Sequence, residues 1–180
     1  MKVTIFKDVK STKAPHHIQL ATALSRIQQG KSKDLIHEIR EGNKEKKLEL
    51  PVVCFSGEFS SRADEALFEH SGYIVLDFDH VDVEATKTAL ATDDYIYACW
   101  ISPSGDGIKA LVRITNPERH RDHFRALTAY LSRQHGLEVD ETGINESRAC
   151  FESHDPDIII KDDYQKFGHF TTEHAEAQVP

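Results

Sequence analysis

Apolar positions along the chain recur at two spacings, and each spacing predicts a kind of element. Residues 3–6 (VTIF) read as a short strand. From Pro15 to Gly42 the spacing is helical. Ile18, Ala21, Leu24 and Ile27 recur at three-residue steps, and Leu35, Ile36 and Ile39 resume the pattern after a break near Gly30. A charged connector, 42–50 (GNKEKKLEL), leads to Pro51 and a strand of type VVCFSG. Ser60 or Ser61 then offers an N-cap for a helix through Asp64, Glu65, Ala66 and Leu67. Residues 73–79 (YIVLDFD) follow Gly72 as a strand, and 83–91 suit a helix. The run 95–102 (YIYACWIS) is β-rich, 102–107 (SPSGDG) has turn chemistry, and 108–114 (IKALVRI) alternates as a strand. Pro117 opens a helix that carries Phe124, Leu127 and Leu131 on one side and stops at Gly136. Residues 148–153 read as a last core strand, which 157–160 extend, and 171–180 form a polar tail expected to be disordered. The fold class expected is α+β, with a mixed or antiparallel sheet flanked by helices.

Composition narrows the class. The 180 residues are 39% hydrophobic and 29% charged, the balance of a soluble globular protein, and one domain over 1–170 is expected. No apolar run approaches a membrane span, and the first ten residues, MKVTIFKDVK, lack the apolar block of a secretory signal. Cys54, Cys99 and Cys150 are odd in number and far apart, against a disulfide framework or a zinc knuckle. A cytoplasmic setting follows as the expectation. The net charge of −8 is unevenly spread, with +5 over residues 1–50 and −13 over the rest. That excess of acid argues against a nonspecific nucleic-acid coat. It leaves room for a nucleotide enzyme whose carboxylates hold metal ions, with the basic, helical first 50 residues nearest a phosphate backbone.

Three segments carry candidate chemistry. In 73–80 (YIVLDFDH), strand alternation puts Ile74, Leu76 and Phe78 on a buried face and Asp77 with Asp79 on the other. Two carboxylates so placed repel unless a cation neutralises them, and Mg²⁺ or Mn²⁺ is the suitable hard ion. In 102–109 (SPSGDGIK), Ser102, Ser104, Gly105 and Gly107 make a tight turn whose amides can approach phosphate, and Lys109 and Arg113 share one strand face beyond it. In 140–155, Asp140 precedes Arg148 by eight residues, and His154 and Asp155 follow. An acidic pair, a glycine turn with a cation, then an acid and an arginine is the set that two-metal phosphoryl or nucleotidyl transfer requires.

In these motifs the chain resembles the archaeo-eukaryotic primase and primase-polymerase superfamily. LPVVCFSGEF, YIVLDFDHVD, SPSGDGIKALVRI and SRACFESHDPD resemble more closely the VirE N-terminal, primase-like domain family of mobile elements and prophages. The resemblance implies an RRM-like sheet bearing the site. It also implies joining of NTPs or dNTPs on a single-stranded DNA template, with a replicative helicase domain or protein as partner. By position, Asp77, Asp79 and Asp140 become the catalytic metal-binding acids. Ser102, Ser104, Gly105, Gly107, Lys109, Arg148 and His154 become nucleotide-binding residues. Lys109 stands where many superfamily members have a histidine, and a lysine offers phosphate a point charge rather than imidazole hydrogen bonding.

Around this set, Arg40, Lys47 and Arg113 are candidates for nucleic-acid contact, and Asp155 rivals Asp140 as third acid. Trp100 and Tyr97 offer either base stacking or core packing, and His80 reads as a peripheral polar residue. Two alternative functions stand beside the polymerase. One is a nucleotide- or nucleic-acid-binding module without turnover. The other is a haloacid-dehalogenase-like phosphatase, which shares the hhhhDxD pattern but needs helices between parallel strands.

Overall fold

The computed structural model describes residues 1–171, so the expectation of a disordered tail lies almost wholly outside the described residues. β1 (Lys2–Phe6) buries Val3 and Phe6 and pairs antiparallel with β2 (His16–Gln19) and β3 (Val52–Cys54). The helical spacing from Pro15 therefore begins too early. His16–Gln19 is extended because it lies opposite Ile5–Lys2, and backbone pairing with β1 overrides a weak helix pattern. α1 (Leu20–Gln29) stops at Gly30, whose left-handed φ of 75° and amide bond to the Arg26 carbonyl close the helix. α2 (Lys33–Arg40) and a 3₁₀ turn (Lys44–Glu49) lead back to β3.

β4 (Gly57–Phe59) and β5 (Leu67–His70) pair with each other where a helix was expected; only Asp64–Ala66 coils, as one 3₁₀ turn. Two contacts explain the difference. A Cβ at Gly57 would lie 2.1 Å from the Glu69 carbonyl oxygen, so the missing side chain is what lets these strands close. Asp64, meanwhile, directs its carboxylate to Ser147 and Asn145 instead of starting a helix.

The second half follows the pattern more closely. β6 (Tyr73–Phe78) precedes α3 (Val83–Thr92), which Asp82 caps by accepting from the Ala85 amide. β7 (Ile96–Ile101), β8 (Ile108–Arg113), a 3₁₀ turn (Pro117–Arg119) and α4 (His120–His135) come next, then β9 (Cys150–Phe151) and β10 (Ile159–Ile160). Two four-stranded sheets result, ordered β2-β1-β3-β9 and β10-β7-β8-β6, and every pairing between these named strands is antiparallel. The architecture is α+β, with antiparallel sheets flanked by helices.

The second sheet is covered on both faces. Ile74, Leu76 and Phe78 pack with Ile108 and Val112 against Leu90, Phe124 and Leu127 of α3 and α4. On the other face, Val75, Trp100 and Leu111 meet Val53 and Phe55 near the first sheet, with Leu24 of α1. The face assigned to Asp77 and Lys109 is thus apolar for most of its length, and the charges begin where this second core ends. All three cysteines are free and buried, and no helix among the described residues is long and apolar enough to cross a membrane.

Candidate functional site

Where the second core ends, a polar cleft of about 470 Å³ opens. Strand register builds its floor. Asp77 lies opposite Lys109, and Lys109 Nζ donates to Asp77 Oδ1 at 2.6 Å, both side chains being 11% exposed. The Asp140 amide donates to the Asp77 carbonyl at 2.9 Å, which fastens the 140s segment to the free edge of β6. Arg148 Nη2 then spans the two acids, 3.3 Å from Asp77 Oδ2 and 3.1 Å from Asp140 Oδ2. Asp79 also lines the cleft; it is exposed and bonds to no other described residue.

The local electrostatics keep Asp140 and Lys109 charged. Burial works to raise the Asp140 pKa, but the Thr142 hydroxyl and amide, with Arg148, outweigh it and hold the carboxyl below its ordinary value. Burial likewise works to lower Lys109, and Cys150 and the Asp77 carboxylate outweigh it, so its pKa is raised. Lys47, Arg62, Lys109 and Arg148 face Asp77, Asp79 and Asp140 in one cleft, leaving one positive charge over. Arg62 donates through Nη2 to the Val9 carbonyl, but its buried Nε has no acceptor, and neither has the buried Nε of Arg148. Both guanidiniums line the cleft, and its excess of positive charge suits an anionic ligand.

No three His, Cys, Asp or Glu side chains converge as a metal cage among the described residues. The donors nevertheless fit Mg²⁺ or Mn²⁺. Such ions are commonly held by one or two carboxylates together with substrate phosphates, and Asp79 is unpartnered beside Asp77.

The remaining expected residues are placed elsewhere. The 102–107 turn clasps the end of β6 and is not part of the cleft lining. Its Gly105 and Gly107 amides, proposed as phosphate donors, already bond to the Ser102 carbonyl and hydroxyl. Ser104 Oγ donates to Asp106, which also pairs with the exposed His80. A Cβ at Gly107 would stand 2.7 Å from the Phe78 carbonyl oxygen, so glycine is needed for closeness to β6. Arg40 donates to the Ser102 and His154 carbonyls, and the His154 ring packs at Gly30. Arg113 sits at the far end of β8, opposite Tyr73, and Trp100 is wholly buried. Tyr97 stacks against Tyr73 and Tyr164. Asp155 is buried on Lys87, away from the cleft.

Sequence reasoning missed Arg62, Asn145, Ser147 and the apolar lining of Val9, Ala149 and Phe151. It also missed the brace behind them. Asp64 accepts from the Ser147 amide and hydroxyl and from Arg121, fixing the loop that presents Arg148. None of these has a local signature, because each acquires its place from a distant segment.

A family model described as BT4734-like, N-terminal domain matches residues 45–159, more than half of the chain. The chain belongs to the BT4734-like N-terminal domain family. This corrects the resemblance to the VirE N-terminal and primase-like families. All four segments that carried it fall within 45–159, and a different family accounts for them. Every cleft residue except Val9 lies within the BT4734-like domain. Comparison with curated proteins and with solved structures gives no significant match.

Proposed function

We propose that the cleft is a nucleotidyl-transfer site, joining NTPs or dNTPs on a single-stranded DNA template as a primase or polymerase does. One observation carries the reading: Asp77, Asp79, Asp140, Lys109 and Arg148, drawn from three distant segments, line a single cleft. The finer fold that goes with it is a primase-polymerase type, with a β-sheet floor bearing the acids. Arg148 and Lys109 bind and neutralise the triphosphate, and Arg62 adds a further positive charge to the cleft wall. Asp79 and Asp77 are the residues that would hold Mg²⁺ or Mn²⁺, with Asp140 beside them. When bound, the ion offsets charge on the phosphates and favours the attacking oxygen. Lys47, which lines the same cleft, remains a candidate for template phosphate, and a helicase remains a partner to be sought.

A second reading, a nucleotide-binding module without turnover, draws on a specific feature. Both Asp77 oxygens are already engaged, by Lys109 and by Arg148. The phosphatase alternative lacks the parallel, helix-linked strands it needs, since β6 pairs antiparallel with β8. Purified protein given Mn²⁺, NTPs or dNTPs and single-stranded DNA should make short products. Nucleotide binding without product would favour the module instead.

A further inference from the structure

The cleft has one apolar edge, and its position bears on what kind of nucleotide part lies there. Val9, Ala149 and Phe151 line the cleft while packing behind on Phe6, Val52, Cys54 and Phe59. Ala149 and Phe151 project from the β9 region, the outermost strand of the first sheet, and Val9 comes from the β1–β2 loop. Arg62 pins that loop through the Val9 carbonyl, so the edge is held by a hydrogen bond as well as by packing. Phe151 is half-buried, and no other described ring stacks on it. The Lys47 ammonium instead lies over the ring, 4.9 Å from its centroid. Phe151 also packs against Ile36, Ile39 and Leu50, so the half-buried Lys47 side chain is the polar cover on a ring otherwise held by apolar neighbours.

We infer that Phe151 is a nucleobase-stacking residue, with Val9 and Ala149 completing the base subsite and Lys47 acting as a movable cover. The inference rests on the nucleotide reading above and deepens it. A nucleotide has one planar apolar end and one anionic end, and the cleft has both kinds of wall. The phosphates go to Arg148, Lys109 and Arg62, and the base goes to Phe151. Stacking on a phenyl face accepts any base, since each has a π-face and the ring offers no hydrogen bond. Affinity gained in this way carries little base preference, as suits an enzyme that follows a template.

The test compares ATP with inorganic tripolyphosphate, each as its Mg²⁺ salt, by calorimetry on the full chain. Phe151→Ala should weaken ATP binding about tenfold, the size of a lost base–aromatic stack, and leave tripolyphosphate binding unchanged. Phe151→Trp, which keeps an aromatic face and the packing behind it, should bind ATP at least as well as the unaltered protein. ATP affinity untouched in Phe151→Ala would overturn the inference alone. Equal losses for both ligands would also overturn it, marking Phe151 as a wall of the fold. Unaltered protein that binds neither ligand would overturn the underlying nucleotide reading, and this inference with it.

Discussion

Asp155 meets Lys87 at 2.7 Å and Asp77 meets Lys109 at 2.6 Å, yet the two pairs have different surroundings. The Asp155 carboxylate is 2% exposed and also accepts from the Ile101 and Asp157 amides. It joins the end of β7 to the turn before β10 and to α3, and every bond it makes is to the protein itself. Asp77 shares its charge between Lys109 and Arg148 and opens on a cleft with two further acids, Asp79 and Asp140, and two further cations, Lys47 and Arg62. A saturated buried pair holds backbone in place. A shared pair beside an exposed, unpartnered acid leaves charge that a ligand can exchange with.

The comparison is broken most directly by removing the saturated acid. Asp155→Ala leaves Lys87 buried without its partner and frees two amides, a loss of about 3–5 kcal/mol. The thermal midpoint should fall by roughly 10 °C or more, while the folded fraction keeps its nucleotide affinity. An unshifted melting curve would mean that Asp155 is not a brace. Gly107→Ala comes next. Its Cβ would press on the Phe78 carbonyl, and a cost of about 1–3 kcal/mol is expected. Part of that strain should reach Asp79 at the end of the same strand, so activity should drop along with the melting temperature.

Acid acts on a third place, the buried His70–His120 pair. The Gly72 amide donates to His70 Nδ1, so the His70 proton sits on Nε2 and is donated to His120 Nδ1 at 3.0 Å. Burial holds the His70 pKa down to about 4 and lowers His120 as well. Both folded-state values lie below that of a free imidazole, about 6.5. The neutral pair therefore adds stability above that pH, and the contribution is lost as pH falls toward 4. Melting temperatures should decline by several degrees between about pH 6.5 and 4.5, and the decline should be blunted in His70→Asn. A slope that is the same in both proteins would assign the acid sensitivity elsewhere.

Much of this division was legible in the chain, for reasons specific to each residue. Strand alternation puts Asp77 beside Asp79 whatever the rest of the fold does, and a lysine in the next strand but one is well placed to face them. Asp140 and Arg148 were named for their order in the chain, and an amide bond to the edge of β6 places their segment beside Asp77. The SPSGDG turn was misleading because its composition cannot show that its own serine engages the glycine amides. β2 and β5 were read as helix because their pairing partners, β1 and β4, lie outside any local window. Arg62 and Phe151 were invisible for the same reason: each becomes a cleft residue only when β9 and the loop after β4 are brought together. The family assignment turned on longer stretches than the short motifs that first suggested a relative.

Asp79 offers the cleanest probe of the proposed chemistry, because it lines the cleft without bonding to any other described residue. Template extension with Mn²⁺ should be measured for Asp79→Asn beside the unaltered protein, together with the melting temperature of each. The account predicts a fall in extension of about 100-fold or more with the melting temperature unchanged. Extension at the unaltered rate would contradict it.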